Sequence, residues 1–268
     1  MQARIQSLWR YPVKSCSGES LKTLVLDSEG RPVGDRRWAV VNSAAELQWM
    51  GGLPRLTWVQ ARQVGEAGLH LMGRDGSELT LAPHAGRAVT IRAWDDTAKQ
   101  WNSFEALDAG PEAAALLMRA TGEPLSLVRL SEDCARHLAP NPMHLISQPS
   151  LDAWQQATPE VHMRARRARV NLVLEPLDGE DFPPFIEEQA LRLSTPEAQL
   201  SITTPCVRCV MPSIDPATAV LDERFGQSLS ELSQSRQPAG PTIFGVYARS
   251  EGAGRLNVGD VVTLELNF

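Results

Sequence analysis

The chain has 268 residues, 43% of them hydrophobic, and a formal net charge of -6, which is enough material for one large core or two modest domains without staples. The negative balance argues against indiscriminate binding to nucleic acid or anionic lipid. Four cysteines in a chain this long do not make the framework of a small secreted domain, and residues 1–20 hold Arg4, Arg10 and Lys14 with no continuous apolar run, so a cytoplasmic protein with neither signal peptide nor membrane span is expected.

The first 130 residues alternate short β-like runs with turn signals, which predicts strands over 4–9, 21–26, 38–42, 69–72, 78–81 and 88–94. Gly73-Arg74-Asp75-Gly76 between two of these runs is a hairpin signal, because Asp-Gly tolerates the positive φ of a tight connection. A helix is predicted over Pro111–Thr121, with proline in its first turn and Gly122 placed to close it in a left-handed conformation. After a strand over 125–130, residues 131–142 mix charges, His137 and two prolines and read as a connector. The domain boundary is placed there, dividing the chain into 1–135 and 136–268. The second half opens with a short helix after Ser150, which can cap it, and continues in strands over 170–174, 190–193, 199–202, 243–249 and 261–266. The absence of regular alternation of strand and helix argues against a doubly wound parallel sheet. The expected fold is mixed α/β but predominantly β, in two β-rich domains with peripheral helices.

Chemistry concentrates at Thr204-Pro-Cys-Val-Arg-Cys-Val-Met-Pro-Ser-Ile-Asp-Pro216, where Arg208 lies between Cys206 and Cys209. A guanidinium beside a thiol favours the thiolate, the form that binds metal or attacks sulfur. A zinc site lacks a second ligand pair, and Pro212 interrupts the helix that a thioredoxin-like pair would start. Two half-buried structural cysteines remain the plain alternative. Three segments carry cations suited to an anion: Lys14 and Ser15 in 10–18, Arg36 or Arg37 in 34–38, and the four arginines of 164–169 followed by Asn171. Each alone reads as surface charge; together they suggest a phosphorylated ligand. No dinucleotide fingerprint, phosphate loop or nucleophile elbow is present. The histidines, His70, His84, His137, His144 and His162, show no ligand spacing and read as surface or satisfied core residues. Trp9, Trp38, Trp49, Trp94 and Trp101 read chiefly as core.

Taken together, Tyr11-Pro-Val-Lys-Ser-Cys16, Gly34-Asp-Arg-Arg-Trp38, Arg167-Ala-Arg-Val-Asn-Leu-Val173, Pro205-Cys-Val-Arg-Cys209 and Asp215-Pro-Ala-Thr218 resemble the MOSC family. The similarity is strongest to its amidoxime-reducing members, in which a MOSC N-terminal β-barrel domain precedes a MOSC β-barrel domain. The resemblance implies the molybdenum cofactor (molybdopterin), with Cys209 as metal ligand and Cys206 as a weaker candidate for the site. It implies that Lys14, Ser15, Arg36, Arg169 and Asn171 hold the pterin and its phosphate, joined by Ser147 and Ser150 before a short helix. Arg208 and Asp215 would orient or tune the metal site. Val170 stands where the family usually has proline, and Gln48-Trp49-Met50 departs from the family pattern near the substrate funnel. The implied activity is reduction of small N-hydroxylated or N-oxide compounds, with electrons from a separate ferredoxin or flavoprotein-type partner, since no ferredoxin-like domain follows. A non-catalytic cofactor or sulfur carrier is the alternative.

Overall fold

A computed structural model describes residues 1–83, 86–158 and 165–267; His84, His162 and Arg164 lie outside the described residues. The strands are β1 (Gln2–Arg10), β2 (Glu19–Leu21), β3 (Thr23–Leu26), β4 (Trp38–Val41), β5 (Gln60–Val64), β6 (Gly68–Met72), β7 (Glu78–Leu81), β8 (Arg87–Asp95), β9 (Gln100–Asp108), β10 (Ser126–Leu130), β11 (Met143–Ser147), β12 (Leu172–Pro176), β13 (Ala190–Ser194), β14 (Gln199–Val207), β15 (Ile243–Ser250), β16 (Gly254–Asn257) and β17 (Val261–Leu266). The helices are α1 (Pro111–Thr121), α2 (Glu132–Leu138), α3 (Gln148–Ala157), α4 (Ala165–Ala168) and α5 (Glu223–Arg236).

Seven strands close a barrel in the order β12-β11-β15-β14-β13-β17-β1, and β1 returns to β12 to complete it. Only β11 and β12 run parallel. The first strand of the chain therefore lies between two of the later ones, β12 on one side and β17 on the other. Its phase shifts by one residue between Ile5 and Ser7. Because side chains alternate faces, that bulge lets Ile5 and Leu8, three residues apart, both point inward, where each is fully buried. They join Leu145, Leu172, Leu174, Leu193, Val246 and Leu264 in the barrel core, each such side chain contributing roughly 1.5–3 kcal/mol on burial.

Of the remaining strands, β2 extends the barrel sheet beside β1 and β3 pairs with β16, while the others form a four-stranded sheet, β4-β10-β9-β8, and a three-stranded sheet, β5-β6-β7. Between them α1 buries Leu116 and Leu117 against Trp38, Leu69, Leu71 and Leu127. This helix begins and ends where its proline and glycine place it, with Gly122 at φ 77. The Asp75-Gly76 turn joins β6 to β7 with Gly76 at φ 81. On the outside of the barrel, α3 and α5 bring Trp154 and Phe225 against Phe244, and Trp154 Nε1 donates to Ser228 Oγ at 3.2 Å.

Three expectations are corrected. Residues 131–142 are not all connector: α2 forms there, because the Ser131 side chain accepts from Cys134 N and two acids follow it in the first turn. The helix expected after Ser150 begins earlier and is capped by Ser147, leaving Ser150 buried inside it. Trp49, Trp94 and Trp101 are exposed at 40–44%, the last two packed edge to face across the β8–β9 hairpin at 5.5 Å. Among the described residues no helix is long and apolar enough to cross a membrane.

Candidate functional site

The two N-terminal cation segments are laced together by backbone. Lys14 N donates to Trp38 O at 2.8 Å, Trp38 N to Pro12 O at 3.0 Å, and Arg36 N to Tyr11 O at 2.8 Å. Asp35 fixes the corner, accepting from Tyr11 N at 2.7 Å and from the Arg36 guanidinium. The third segment arrives because the end of β1 meets the start of β12: Trp9 N donates to Asn171 O at 2.9 Å, and Arg169 Nη1 donates to Cys16 O at 2.7 Å. Tyr11 is covered by both guanidinium groups, Arg169 at 4.3 Å and Arg36 at 5.4 Å from its ring centroid. Ser15, Arg36 and Arg169 each adopt positive φ, at 70, 52 and 55 degrees. Non-glycine residues hold that conformation at a cost of roughly 1–3 kcal/mol each, and such residues cluster at ligand sites.

These residues open on one cavity of about 220 Å³, lined among others by Lys14, Ser15, Arg36, Arg169, Arg208 and Tyr247. The electrostatics are those of an anion site. Burial, with the neighbouring charges of Arg169 and Arg36, pushes Lys14 from 10.5 down to about 8. Burial likewise brings Arg169 down to about 10, against the favourable pull of Tyr11. Arg169 Nη2 and Arg208 Nε are buried without a partner among the described residues. Unpaired buried guanidinium N–H groups are costly, and phosphate oxygens satisfy them with charge-assisted bonds. The donor set thus fits a phosphorylated ligand.

At the end of β14 the two cysteines separate. Cys206 is fully buried, and Cys209 is the one exposed cysteine of the four. Cys16 and Cys134 are buried thiols that burial pushes up to about 12. Burial acts on Cys206 in the same sense, but His144, Arg208 and Tyr247 overcome it and hold that thiol well below its usual range. The contact that secures this direction is Arg208 Nη1 donating to Cys206 Sγ at 2.9 Å. Arg208 Nη2 donates to Ala168 O at 2.9 Å, which fixes the guanidinium as a wall. On one side is the anion cavity; on the other is a hollow of about 280 Å³ lined by Cys209 with Val210, Pro212, Leu221 and Leu229. The Cys209 sulfur lies near enough to Lys14 and Arg208 for its charge to act on both.

Other expected site residues lie differently. Asn171 lines the cavity, but its amide is engaged: Oδ1 accepts from His144 N at 3.1 Å and Arg36 Nη1 at 3.4 Å, and Nδ2 donates to Trp9 O at 3.1 Å. It joins the segments rather than presenting a free group. Ser147 and Ser150 are fully buried and are not among the cavity's lining residues; Ser147 Oγ donates to Glu187 Oε2 at 2.8 Å, and Ser150 Oγ accepts from Phe185 N at 2.7 Å. Asp215 accepts from the Arg167 guanidinium and from Ala217 N and Thr218 N, organising the loop after Cys209. Sequence reasoning missed Tyr11, Asp35, His144 and Tyr247. Asp35 adjoins Arg36, and Phe244-Gly245 stands near Tyr247, but nothing local indicates that His144 reaches the cavity. Among the described residues no group of three or more His, Cys, Asp or Glu side chains could hold a metal ion, so the zinc reading has no ligand set there.

Residues 2–124 match the MOSC N-terminal beta barrel domain, and residues 133–263 match the MOSC domain. The chain belongs to the MOSC family. A similar curated protein is "Molybdenum cofactor sulfurase" of Caenorhabditis elegans, 26% identical over 91% of this chain and 33% of that protein. The MOSC chain therefore spans about a third of this sulfurase. Another is "Mitochondrial amidoxime-reducing component 1" of Homo sapiens, 24% identical over 97% of this chain and 82% of that protein. Among solved structures, the YUAD protein from Bacillus subtilis aligns over 100% of this chain and 98% of its own, at 13% identity and a TM-score of 0.43.

Proposed function

We propose that this MOSC protein is a molybdenum-cofactor-dependent oxidoreductase that reduces N-hydroxylated or N-oxide compounds, using electrons from a separate redox protein. The observation that carries the reading is the convergence of Lys14, Arg36, Arg169 and Arg208 on one cavity, with the exposed Cys209 next to the last of them. When bound, the cofactor supplies two-electron oxygen abstraction from an N–O bond. Lys14, Ser15, Arg36 and Arg169 would hold its phosphate and pterin, and the Cys209 thiolate would be the protein ligand to molybdenum, a soft donor suited to that metal. Arg208 keeps its charge between the two hollows, held there by its bonds to Cys206 Sγ and Ala168 O. The apolar side chains Val210, Pro212 and Leu221 give the Cys209 hollow a side against which an organic substrate would pack.

The test is the molybdenum and pterin content of protein from a cofactor-making host, beside Cys209→Ser, followed by turnover of an N-hydroxylated amidine with an artificial electron donor. Metal that falls in the variant while pterin persists, together with turnover in the parent alone, is the expected result. Full molybdenum and activity in Cys209→Ser would refute the mechanism. The second reading, a cofactor or sulfur carrier, is favoured by one observation: the acidified Cys206 stands three residues from Cys209. It predicts exchangeable pterin and no turnover.

A further inference from the structure

Gly226 lies inside α5, where glycine is among the worst choices, since it gives up the most backbone freedom and packs nothing. Two structural reasons ordinarily hold a glycine in place: a positive φ, or a backbone too close for a Cβ. Gly245 has both, at φ 73 with a Cβ position 2.5 Å from Leu145 O. Gly226 has neither. It is not among the residues of positive φ, and beyond its own helix backbone a Cβ there would meet a single atom within 4 Å, Ser213 Oγ at 3.0 Å. That oxygen ends a rotatable side chain and can turn aside. Helix geometry and packing would both admit alanine.

Both Gly226 and Ser213 line the hollow beside Cys209, together with the apolar side chains Val210, Leu221 and Leu229. A side chain at 226 would stand in that hollow over Ser213, the direction being open otherwise. The helix cannot retreat to make room. Phe225 and Leu229 are buried on its inner face, Trp154 Nε1 donates to Ser228 Oγ at 3.2 Å, and Asp222 N donates to Ser213 O at 2.9 Å, which ties the start of α5 to the segment carrying Ser213. Ser213 is 3% exposed, and its hydroxyl makes no hydrogen bond among the described residues. One side of the hollow is thus bare backbone beside an unengaged hydroxyl. We propose that Gly226 is a specificity-determining residue, whose missing side chain leaves the room in which the organic body of the substrate lies, so that the site admits N-hydroxylated compounds carrying a ring-sized apolar group. The whole hollow, about 280 Å³, is far more than hydroxylamine alone would fill. The inference rests on the oxidoreductase reading and names, within it, the substrate class and the residue that sets its size.

The test compares parent, Gly226→Ala and Gly226→Leu, each purified from a cofactor-making host, in turnover of hydroxylamine and of an aromatic amidoxime with an artificial electron donor. A single extra methylene in a fitted apolar pocket shifts discrimination by roughly 10–200-fold. For the aromatic compound kcat/KM is expected to fall about tenfold in Gly226→Ala and further in Gly226→Leu, through a raised KM; for hydroxylamine it should stay within about twofold of the parent in both variants. Melting temperature separates lost space from a lost fold: cofactor-free Gly226→Ala should melt at or above the parent, because alanine is the better helix former. An unchanged kcat/KM for the aromatic compound in both variants overturns the inference, as does an equal loss for the two compounds. A Gly226→Ala chain that melts well below the parent overturns it as well, since packing would then require the glycine. Loaded parent protein that turns over neither compound refutes the oxidoreductase reading itself, a result distinct from any difference between variants.

Discussion

Lys14 offers a measurement in which function and stability should move in opposite directions. Its ammonium is held among Arg36 and Arg169 by the fold, and burial with those charges brings its pKa from 10.5 to about 8. At about 1.4 kcal/mol per pH unit, keeping it charged in the cofactor-free protein at pH 7 costs about 3 kcal/mol. Lys14→Met keeps a straight apolar stem and removes the charge, so it should stabilise the cofactor-free chain by up to that amount, a rise in melting temperature on the order of 5–10 °C. The sign follows from proton counts. Below pH 8 both folded and unfolded chains hold the proton and the full penalty applies. Between about 8 and 10.5 the folded chain releases it first, so parent stability climbs with pH, and the variant's advantage should shrink to about 1 kcal/mol at pH 10. Thermal or urea melts of both proteins at pH 7 and pH 10 supply the comparison, and added inorganic phosphate should raise the parent's melting point more than the variant's, which keeps Arg36, Arg169 and Arg208 at the cavity. A variant less stable than the parent at pH 7, or an advantage independent of pH, would refute the reasoning.

Ser147→Ala should lower stability by about 1–3 kcal/mol, because the buried Glu187 loses the hydroxyl that donates to it at 2.8 Å; urea melts check the loss, and pterin content should not change, since Ser147 is not a lining residue. Gly245→Ala should cost more than about 1 kcal/mol, as alanine does at positive φ, with a further penalty from a Cβ 2.5 Å from Leu145 O; a thermal melt within 1 °C or so of the parent would contradict the packing described. Trp94→Ala should cost only about 0.5–1.5 kcal/mol, the worth of an exposed aromatic pair, rather than the roughly 3–5 kcal/mol of a buried tryptophan; equilibrium unfolding separates the two.

The convergence of Lys14, Arg36 and Arg169 was legible because charge is costly to bury: the three stand out in sequence and line one cavity. The helix at Pro111–Thr121 was legible because its boundaries are local chemistry, a proline at one end and a left-handed glycine at the other. The barrel closure was not, because the partners of Ile5 and Arg4 are Leu174 and Val261, and no pattern within β1 names them. The long helix α5 escaped notice because serines and Gly226 dilute its apolar face to Phe225, Leu229 and little else. His144 reads in sequence only as a surface or satisfied core residue; its buried place between the Phe244 carbonyl and Cys206 is set by tertiary packing. Tryptophans 94 and 101 were misjudged because aromatic character alone does not tell which face of a hairpin a strand turns outward.

Placing the first strand inside the C-terminal barrel also decides how rigid the clamp can be. β1 is hydrogen-bonded along both edges, so the segment leaving Arg10 starts from a fixed point, and within a few residues it is bonded again, Tyr11 O accepting from Arg36 N and Lys14 N donating to Trp38 O. Arg169 starts from the same place, since Asn171 pairs with Trp9 at the other strand's origin. Three residues in left-handed conformation, a lysine pushed to about 8 and two unpaired guanidinium N–H groups are all costs located within this short radius. A multivalent anion would relieve the lysine and both guanidinium groups at once, which makes ligand binding and the stability of this corner two readings of one free energy. The barrel holds the strained corner in place in the cofactor-free chain, so the ligand meets a preformed cradle and does not have to order it.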